Sequence, residues 1–288
     1  MADLVRQWRG LICAALVAAW PTGLLAQSGE QYEADEPVDV ELVLAVDVSL
    51  SMSPMELAIQ RDGYAAAFVH EQVIGAISDG VHGKIAVTYM EWAGDFTQRV
   101  VVPWTVVSNL AEAESFVAEM TATPPRSARR TSISGGLLYA ARLFEDSGYR
   151  GLKRVIDISG DGPNNQGPQV DLVRDEVTAR GITINGLPLM TSGGFSSAFD
   201  VNDLDNYYAN CVIGGPGAFM IPVNDWSQFP EAVRRKLVLE LAAAPPAPEP
   251  RRAGVEAFSV TLASTTISDY DCLIGEKMWQ RRQRMWEQ

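Results

Sequence analysis

The stretch ELVLAVDV at residues 41–48 is a nearly unbroken run of β-favouring apolar residues, and a helix signal follows almost directly behind it. Ser53 stands at an N-cap position, Pro54 fits the first helical position, and Glu56, three residues after the serine, completes a capping box. A buried strand that feeds a helix is the building unit of layered α/β sheets. The connection itself, Asp47-Val48-Ser49-Leu50-Ser51, carries a carboxylate and two hydroxyls on alternate positions. Hard oxygen donors of this kind suit a divalent cation such as Mg²⁺ better than zinc.

The alternation continues along the chain. The first helix is expected to run through Leu57, Tyr64, Phe68 and Val73 at 3.6-residue spacing, as far as residues 75–77. Residues 84–92 (KIAVTYMEW) and 98–107 (QRVVVPWTVV) read as strands joined by a short turn around Gly94. So short a link makes an antiparallel hairpin, and Pro103 assigns its second strand to a sheet edge. Asn109 caps a helix to about Met120, residues 121–130 form a loop with three arginines, and a helix follows over 132–146. The strand RVIDIS at 154–159 runs into Gly160-Asp161-Gly162-Pro163-Asn164-Asn165. A helix at 169–180, a strand at 182–190, an irregular insertion at 191–217, a short strand at 218–223 and a helix at 226–243 complete the pattern. The expected fold is an α/β, doubly wound, mostly parallel sheet with one antiparallel edge strand and helices on both faces. In such sheets ligands collect beyond the carboxyl ends of the strands, where the strand order reverses.

The domain is expected over residues 39–243, behind a flexible acidic leader at 27–38. A Pro-rich linker at 244–254 and a tail at 255–288 follow, the tail holding an alternating run to Leu262 and a short basic helix from Trp279 to Trp286. At the other end, Arg6 and Arg9 precede the apolar run 11–20, then Pro21 and a small-residue exit at Ala26. That is the layout of a secretory signal peptide over residues 1–26, too short to span a bilayer. Cys13 lacks a small residue before it, so lipidation is not expected. The chain is read as exported, to the periplasm or beyond, with no stable membrane span. Its formal charge of −13 repels nucleic acid and anionic lipid. Cys211 and Cys272 remain after processing, and in an oxidising compartment the pair is expected to be bridged.

Three separated segments deliver oxygen donors where the strand-end rule places a ligand. Asp47, Ser49 and Ser51 follow the first strand, Thr131 opens a helix, and Asp161 follows the strand 154–159. Here the chain resembles a von Willebrand factor type A domain with its metal-ion-dependent adhesion site: D-x-S-x-S, then a threonine, then an aspartate before glycine. The resemblance covers about residues 39–243 and extends to secreted bacterial members with no assigned role, which carry similar GDGPNN-type stretches. It implies that Ser49, Ser51 and Thr131 are hydroxyl ligands and that Asp47 and Asp161 are the carboxylates, often acting through water. The cation would be Mg²⁺, or Mn²⁺ or Ca²⁺, and the partner a protein that offers it a carboxylate. Gly160 departs from the family, which usually has threonine there. The bland reading makes the same residues ordinary turn and cap residues on a metal-free scaffold.

The stretch 160–165 also resembles the G-D-G-x-N-D motif of haloacid-dehalogenase-type phosphatases, which would make Asp47 a nucleophile. Their general acid would fall at Ser49 and their last aspartate at Asn165, so leaving-group protonation lacks its acid. The two histidines, His70 in the first helix and His82 in a loop, flank no nucleophile motif. Asp157, inside the apolar strand, reads equally as support for the cation and as part of a half-polar strand face. The insertion, with Asp200, Asp203, Asp205, Tyr207 and Tyr208, leaves the sheet edge that holds the site but lacks EF-hand spacing. The tail helix is expected to pack back on the domain, helped by Cys272.

Overall fold

The computed structural model describes residues 35–191, 201–242, 259–263 and 270–287, all within one unit, Asp35–Gln288. The expected signal peptide, most of the leader and the Pro-rich linker lie outside the described residues. Seven strands form one sheet: β1 (Glu36–Asp47), β2 (Ile85–Trp92), β3 (Gln98–Val107), β4 (Tyr149–Gly160), β5 (Thr183–Pro188), β6 (Phe219–Met220) and β7 (Thr261–Leu262). Their order is β3-β2-β1-β4-β5-β6-β7. β2, β1, β4, β5 and β6 run parallel, and β3 is an antiparallel edge, as its Pro103 requires. The other edge is antiparallel too, because β7 from the tail pairs with β6.

Helices α1 (Pro54–Phe68), α2 (Glu71–Ser78), α3 (Leu110–Thr121) and α7 (Phe229–Leu241) cover one face. They bury Leu57, Tyr64, Phe68, Phe116 and Phe229 against Leu42, Leu44 and Val46. On the opposite face α4 (Ile133–Leu143), α5 (Val170–Ala179) and α6 (Leu204–Tyr207) pack Leu137, Val173 and Tyr207 on Val43, Ala45 and Ile158. Helix α8 (Ile274–Trp286) also packs on this side, through Ile274. The period-two alternation of β1 therefore loads both faces, which is why its sequence reads as continuously apolar.

Several boundaries differ from expectation. β1 starts at Glu36, so the last residues assigned to the leader are strand. Acidic side chains disguised it. Asp39 accepts from His82 N at 3.0 Å, and Glu41 accepts from Gly151 N of β4 at 2.7 Å, so the carboxylates satisfy backbone N–H groups instead of facing water. The first helical stretch is two helices, broken where His70 Nδ1 accepts from Gln72 N at 3.2 Å and caps the second. The insertion is partly helical, with α6 running into a π-turn, Tyr208–Val212; its residues 192–200, Asp200 among them, lie outside the described residues. The capping box of α1 forms as read, Glu56 N on Ser53 Oγ at 3.2 Å and Ser53 N on Glu56 Oε2 at 2.7 Å.

Candidate metal centre

The strand order reverses between β1 and β4, with Val46 registered against Ser159, so their carboxyl ends deliver Asp47 and Asp161 side by side. Past Asp47 the chain is held as if it were still strand. Val48 N donates to Trp92 O at 2.9 Å, and Leu50 N donates to Ala128 O at 2.9 Å, pairing Ser49 with the arginine-bearing loop. Gln60 of α1 donates to Asp47 O at 2.9 Å. Asp47 then folds its carboxylate forward and accepts from Ser49 N at 2.7 Å through Oδ1.

From there a hydrogen-bonded chain runs outward. Ser51 Oγ donates to Asp161 Oδ1 at 2.8 Å, which uses its one proton. Ser49 Oγ, 2.8 Å away, must therefore donate to Ser51 Oγ. Exposure grades along the same line: Asp47 is 0 % and Ser49 1 % exposed, whereas Ser51 and Asp161 are half-buried. Four of the five expected residues are thus brought together. The fifth, Thr131, is buried nearby but is tied through its backbone: its N–H donates to Asn165 Oδ1 at 3.1 Å, and its carbonyl accepts from Asn165 N at 2.8 Å. Among the described residues its hydroxyl takes no hydrogen bond.

Asp47 is buried close to a second carboxylate. Burial first, and then the nearby charge of Asp161, push the Asp47 carboxyl well above the usual carboxylate range, against the smaller opposing pull of Ser49 N–H. Among the described residues no lysine or arginine pairs with Asp47, and its buried Oδ2 has no hydrogen-bond partner. Two carboxylates and a line of hydroxyls converging at a strand end, with one buried carboxylate oxygen unsatisfied, form a donor set that fits a hard divalent cation.

Asp157 does not belong to this set. It sits on the α1–α7 face, where Lys236 of α7 lies 2.7 Å from its Oδ1 and also bonds Glu240, all three side chains buried. Asn185 completes the cluster by donating to Glu240 at 2.8 Å. The insertion's acids are likewise used elsewhere: Asp203 accepts from Tyr270 at 3.0 Å, and Asp205 from Asn206 N at 2.9 Å. The insertion's Tyr207 reaches the Asp161 loop, its hydroxyl accepting from Asn164 N at 3.1 Å.

Asn164 and Asn165 tie the Asp161 loop in place, a role their sequence context hid. Asn165 fastens the Asp161 loop to Thr131, while Asn164 accepts from Ser134 N at 3.1 Å and donates to Glu276 of α8 at 2.7 Å. Helix α8 lies over this loop and is anchored by a Cys211–Cys272 disulfide. Its Trp279 ring stacks under the Arg130 guanidinium, whose carbon is 3.2 Å from the ring centroid. Arg130, next to Thr131, has φ +78°, the one left-handed non-glycine among the described residues, a conformation that concentrates at functional sites.

The strand order and the helices on both faces make an α/β domain with a von Willebrand A-like fold. Over residues 37–245 the chain matches the family described as "Protein of unknown function (DUF1194)", and it belongs to that family. Among curated proteins nothing matches it. Similar solved structures include the pilus adhesin SpaC from Lactobacillus rhamnosus GG, 12% identical with a TM-score of 0.50, covering 72% of this chain and 30% of that one. Another is a von Willebrand factor type A structure from Catenulispora acidiphila, 16% identical, TM-score 0.47, covering 71% and 43%. A third is proximal thread matrix protein 1 from the mussel byssus "with zinc occupied MIDAS motif", 17% identical, TM-score 0.48, covering 72% and 48%. This chain spans less than half the length of each, and identities this low speak for the fold alone.

Proposed function

We propose that this chain is an exported binding module that holds a divalent cation, Mg²⁺ or one of its relatives Mn²⁺ and Ca²⁺, with Asp47, Ser49, Ser51, Thr131 and Asp161. The cation would be presented to a carboxylate of a protein partner. The observation that carries this reading is the chain from Ser49 to Ser51 to Asp161, lying beside a buried Asp47 that has no cationic partner among the described residues. When bound, the cation supplies an electrophilic position for an incoming carboxylate. The protein's own part is to fix the donors. Asp47 is held by Ser49 N–H, Ser51 and Asp161 are held by each other at the solvent side, and Thr131 is held in place by Asn165. Export is supported by the signal-peptide pattern at residues 1–26 and by the disulfide, a bond that persists in oxidising compartments. No described helix is long and apolar enough to cross a membrane.

A binding role is favoured over phosphoryl transfer by what stands where that chemistry needs an acid. Ser49 occupies the general-acid position, and Asn165 is used to hold Thr131. Asp47 is fully buried with Oδ1 already engaged, a poor start for nucleophilic attack. Calorimetry with Mg²⁺ or Mn²⁺ tests the proposal. Wild type is expected to give a metal-dependent heat that Asp47→Ala combined with Ser49→Ala abolishes. No heat and no thermal shift in folded wild type would leave a metal-free scaffold. Turnover of a generic phosphate ester that disappears in Asp47→Asn would establish the phosphatase instead.

A further inference from the structure

Three buried polar atoms without a hydrogen-bond partner among the described residues are neighbours: Asp47 Oδ2, Tyr208 Oη and Trp92 Nε1. They surround Gly160, the last residue of β4. A β-carbon at position 160 would stand 2.8 Å from Tyr208 Oη, 3.1 Å from Asp47 Oδ2 and 3.3 Å from the Trp92 ring. Gly160 is not among the glycines with positive φ, so the backbone does not demand glycine here. What demands it is space, and the space is taken by the Tyr208 hydroxyl.

Tyr208 is brought to this point from the insertion, beyond β5. It opens the π-turn Tyr208–Val212, and the Cys211–Cys272 bridge fastens that turn three residues later. Its side chain is fully buried, so the hydroxyl has no water-facing alternative. A phenol hydroxyl carries one proton and so can donate. Asp47 has one satisfied oxygen and one unsatisfied, and the unsatisfied one faces this donor across Gly160.

We propose that Tyr208 is a positioning residue of the cation site, its hydroxyl donating towards Asp47 Oδ2 across one water. This rests on the cation reading above. A carboxylate held at Oδ1 alone can swing about its Cβ–Cγ bond; a second donor at Oδ2 fixes its plane. Partners of this kind, one step behind the ligands, orient them and commonly change metal affinity ten- to a hundred-fold. Gly160 is the condition that lets the tyrosine reach.

The test measures Mn²⁺ affinity by calorimetry on the full mature chain, alongside the thermal midpoint of the metal-free protein. Tyr208→Phe is expected to weaken Mn²⁺ binding roughly ten-fold or more while keeping a cooperative melt. Gly160→Thr is expected to be disruptive alone, because its β-carbon meets the hydroxyl at 2.8 Å. Combined with Tyr208→Phe it places a threonine hydroxyl beside Oδ2, and is expected to recover most of the lost affinity. A purely structural tyrosine would lower the melting point and leave affinity and rescue unmoved. Should Tyr208→Phe not fold, Gly160→Ala serves, since its methyl displaces the hydroxyl, and the same loss of affinity is expected. Wild type that binds Mn²⁺ while Tyr208→Phe, or Gly160→Ala in its place, binds it within about three-fold overturns this inference alone. Folded wild type that binds no metal overturns the cation reading and this inference with it.

Discussion

Opening the Cys211–Cys272 bridge offers a direct measure of how far the tail belongs to the domain. The two cysteines are 61 residues apart in sequence with Cα atoms 5.6 Å apart, so the bond closes a long loop without pulling the backbone. In the chain-entropy model a loop of that length is worth about 4 kcal/mol. For a domain of this size each kcal/mol moves the melting point by roughly 2–4 °C, so the loss amounts to roughly 10 °C. Cys272→Ala is the cleaner perturbation. It leaves Cys211 as a buried free thiol, which packs like a small hydrophobe, whereas serine at 211 would bury an unpaired hydroxyl. Urea unfolding followed by far-UV circular dichroism, with and without reductant, gives the free energy. Wild type under reductant and Cys272→Ala should lose the same amount, and Cys272→Ala should not respond to reductant. A loss below about 1 kcal/mol would refute the reasoning, because the loop would then be closed by other contacts. Those contacts are specific: Asn164 to Glu276, Arg130 over Trp279, and Tyr270 to Asp203.

Three further outcomes follow from the buried charges and from the loop ties. Without metal the protein should be less stable at pH 8 than at pH 5. Burial raises Asp47 well above its ordinary value and Glu240 to about 7, so the folded state binds more protons than the unfolded one, and stability falls as pH rises from the carboxylate range towards neutrality. In urea titrations at the two pH values, Mg²⁺ should remove the Asp47 part of the difference and Glu240→Gln the Glu240 part; equal stability at both pH values counts against the assignment. Lys236→Met should cost about 3–5 kcal/mol in the same assay, since it strands two buried carboxylates, yet leave cation affinity unchanged because Asp157 faces away from the site. Asn165→Ala should do the reverse, costing about 1 kcal/mol of stability while weakening Mn²⁺ binding measurably by calorimetry, because it removes one of the two hydrogen bonds that tie Thr131 to the Asp161 loop.

Period and composition made the fold legible where elements were long and their chemistry local. β3 runs over Gln98–Val107 as read, and α3 begins after an Asn109 that accepts from Glu112 N at 3.1 Å. The D-x-S-x-S segment was legible because both its spacing and its position at a strand end are local, and Asp161 because it follows its own strand. What stayed hidden depends on contacts distant in sequence. Glu36 and Asp39 mask the start of β1 because the partners that bury its acids, His82 N for Asp39 and Gly151 N for Glu41, are 43 and 110 residues away. Asp157 could not be assigned without Lys236, on a helix at the far end of the domain. Tyr208 gave no signal because its meaning depends on a glycine that makes room for it in another strand.

The contrast between Asp47 and Asp157 supports the proposal that the site takes a cation from outside. Both are carboxylates at 0 % exposure on adjacent central strands, and burial drives both pKa values up. On the α1–α7 face a cation of the chain stands against the carboxylate: Lys236 lies 2.7 Å from Asp157 and is shared with Glu240, to which Asn185 donates. On the other face Asp47 receives a backbone N–H at Oδ1, while a second carboxylate, Asp161, works against it. A fold that can neutralise one buried aspartate with a lysine leaves the other beside a line of hydroxyls open to solvent. Retaining that arrangement costs stability unless a charge arrives from outside to occupy it. A divalent cation, which wants oxygen donors and keeps positions for an incoming group, is the species whose chemistry matches what is left unsatisfied.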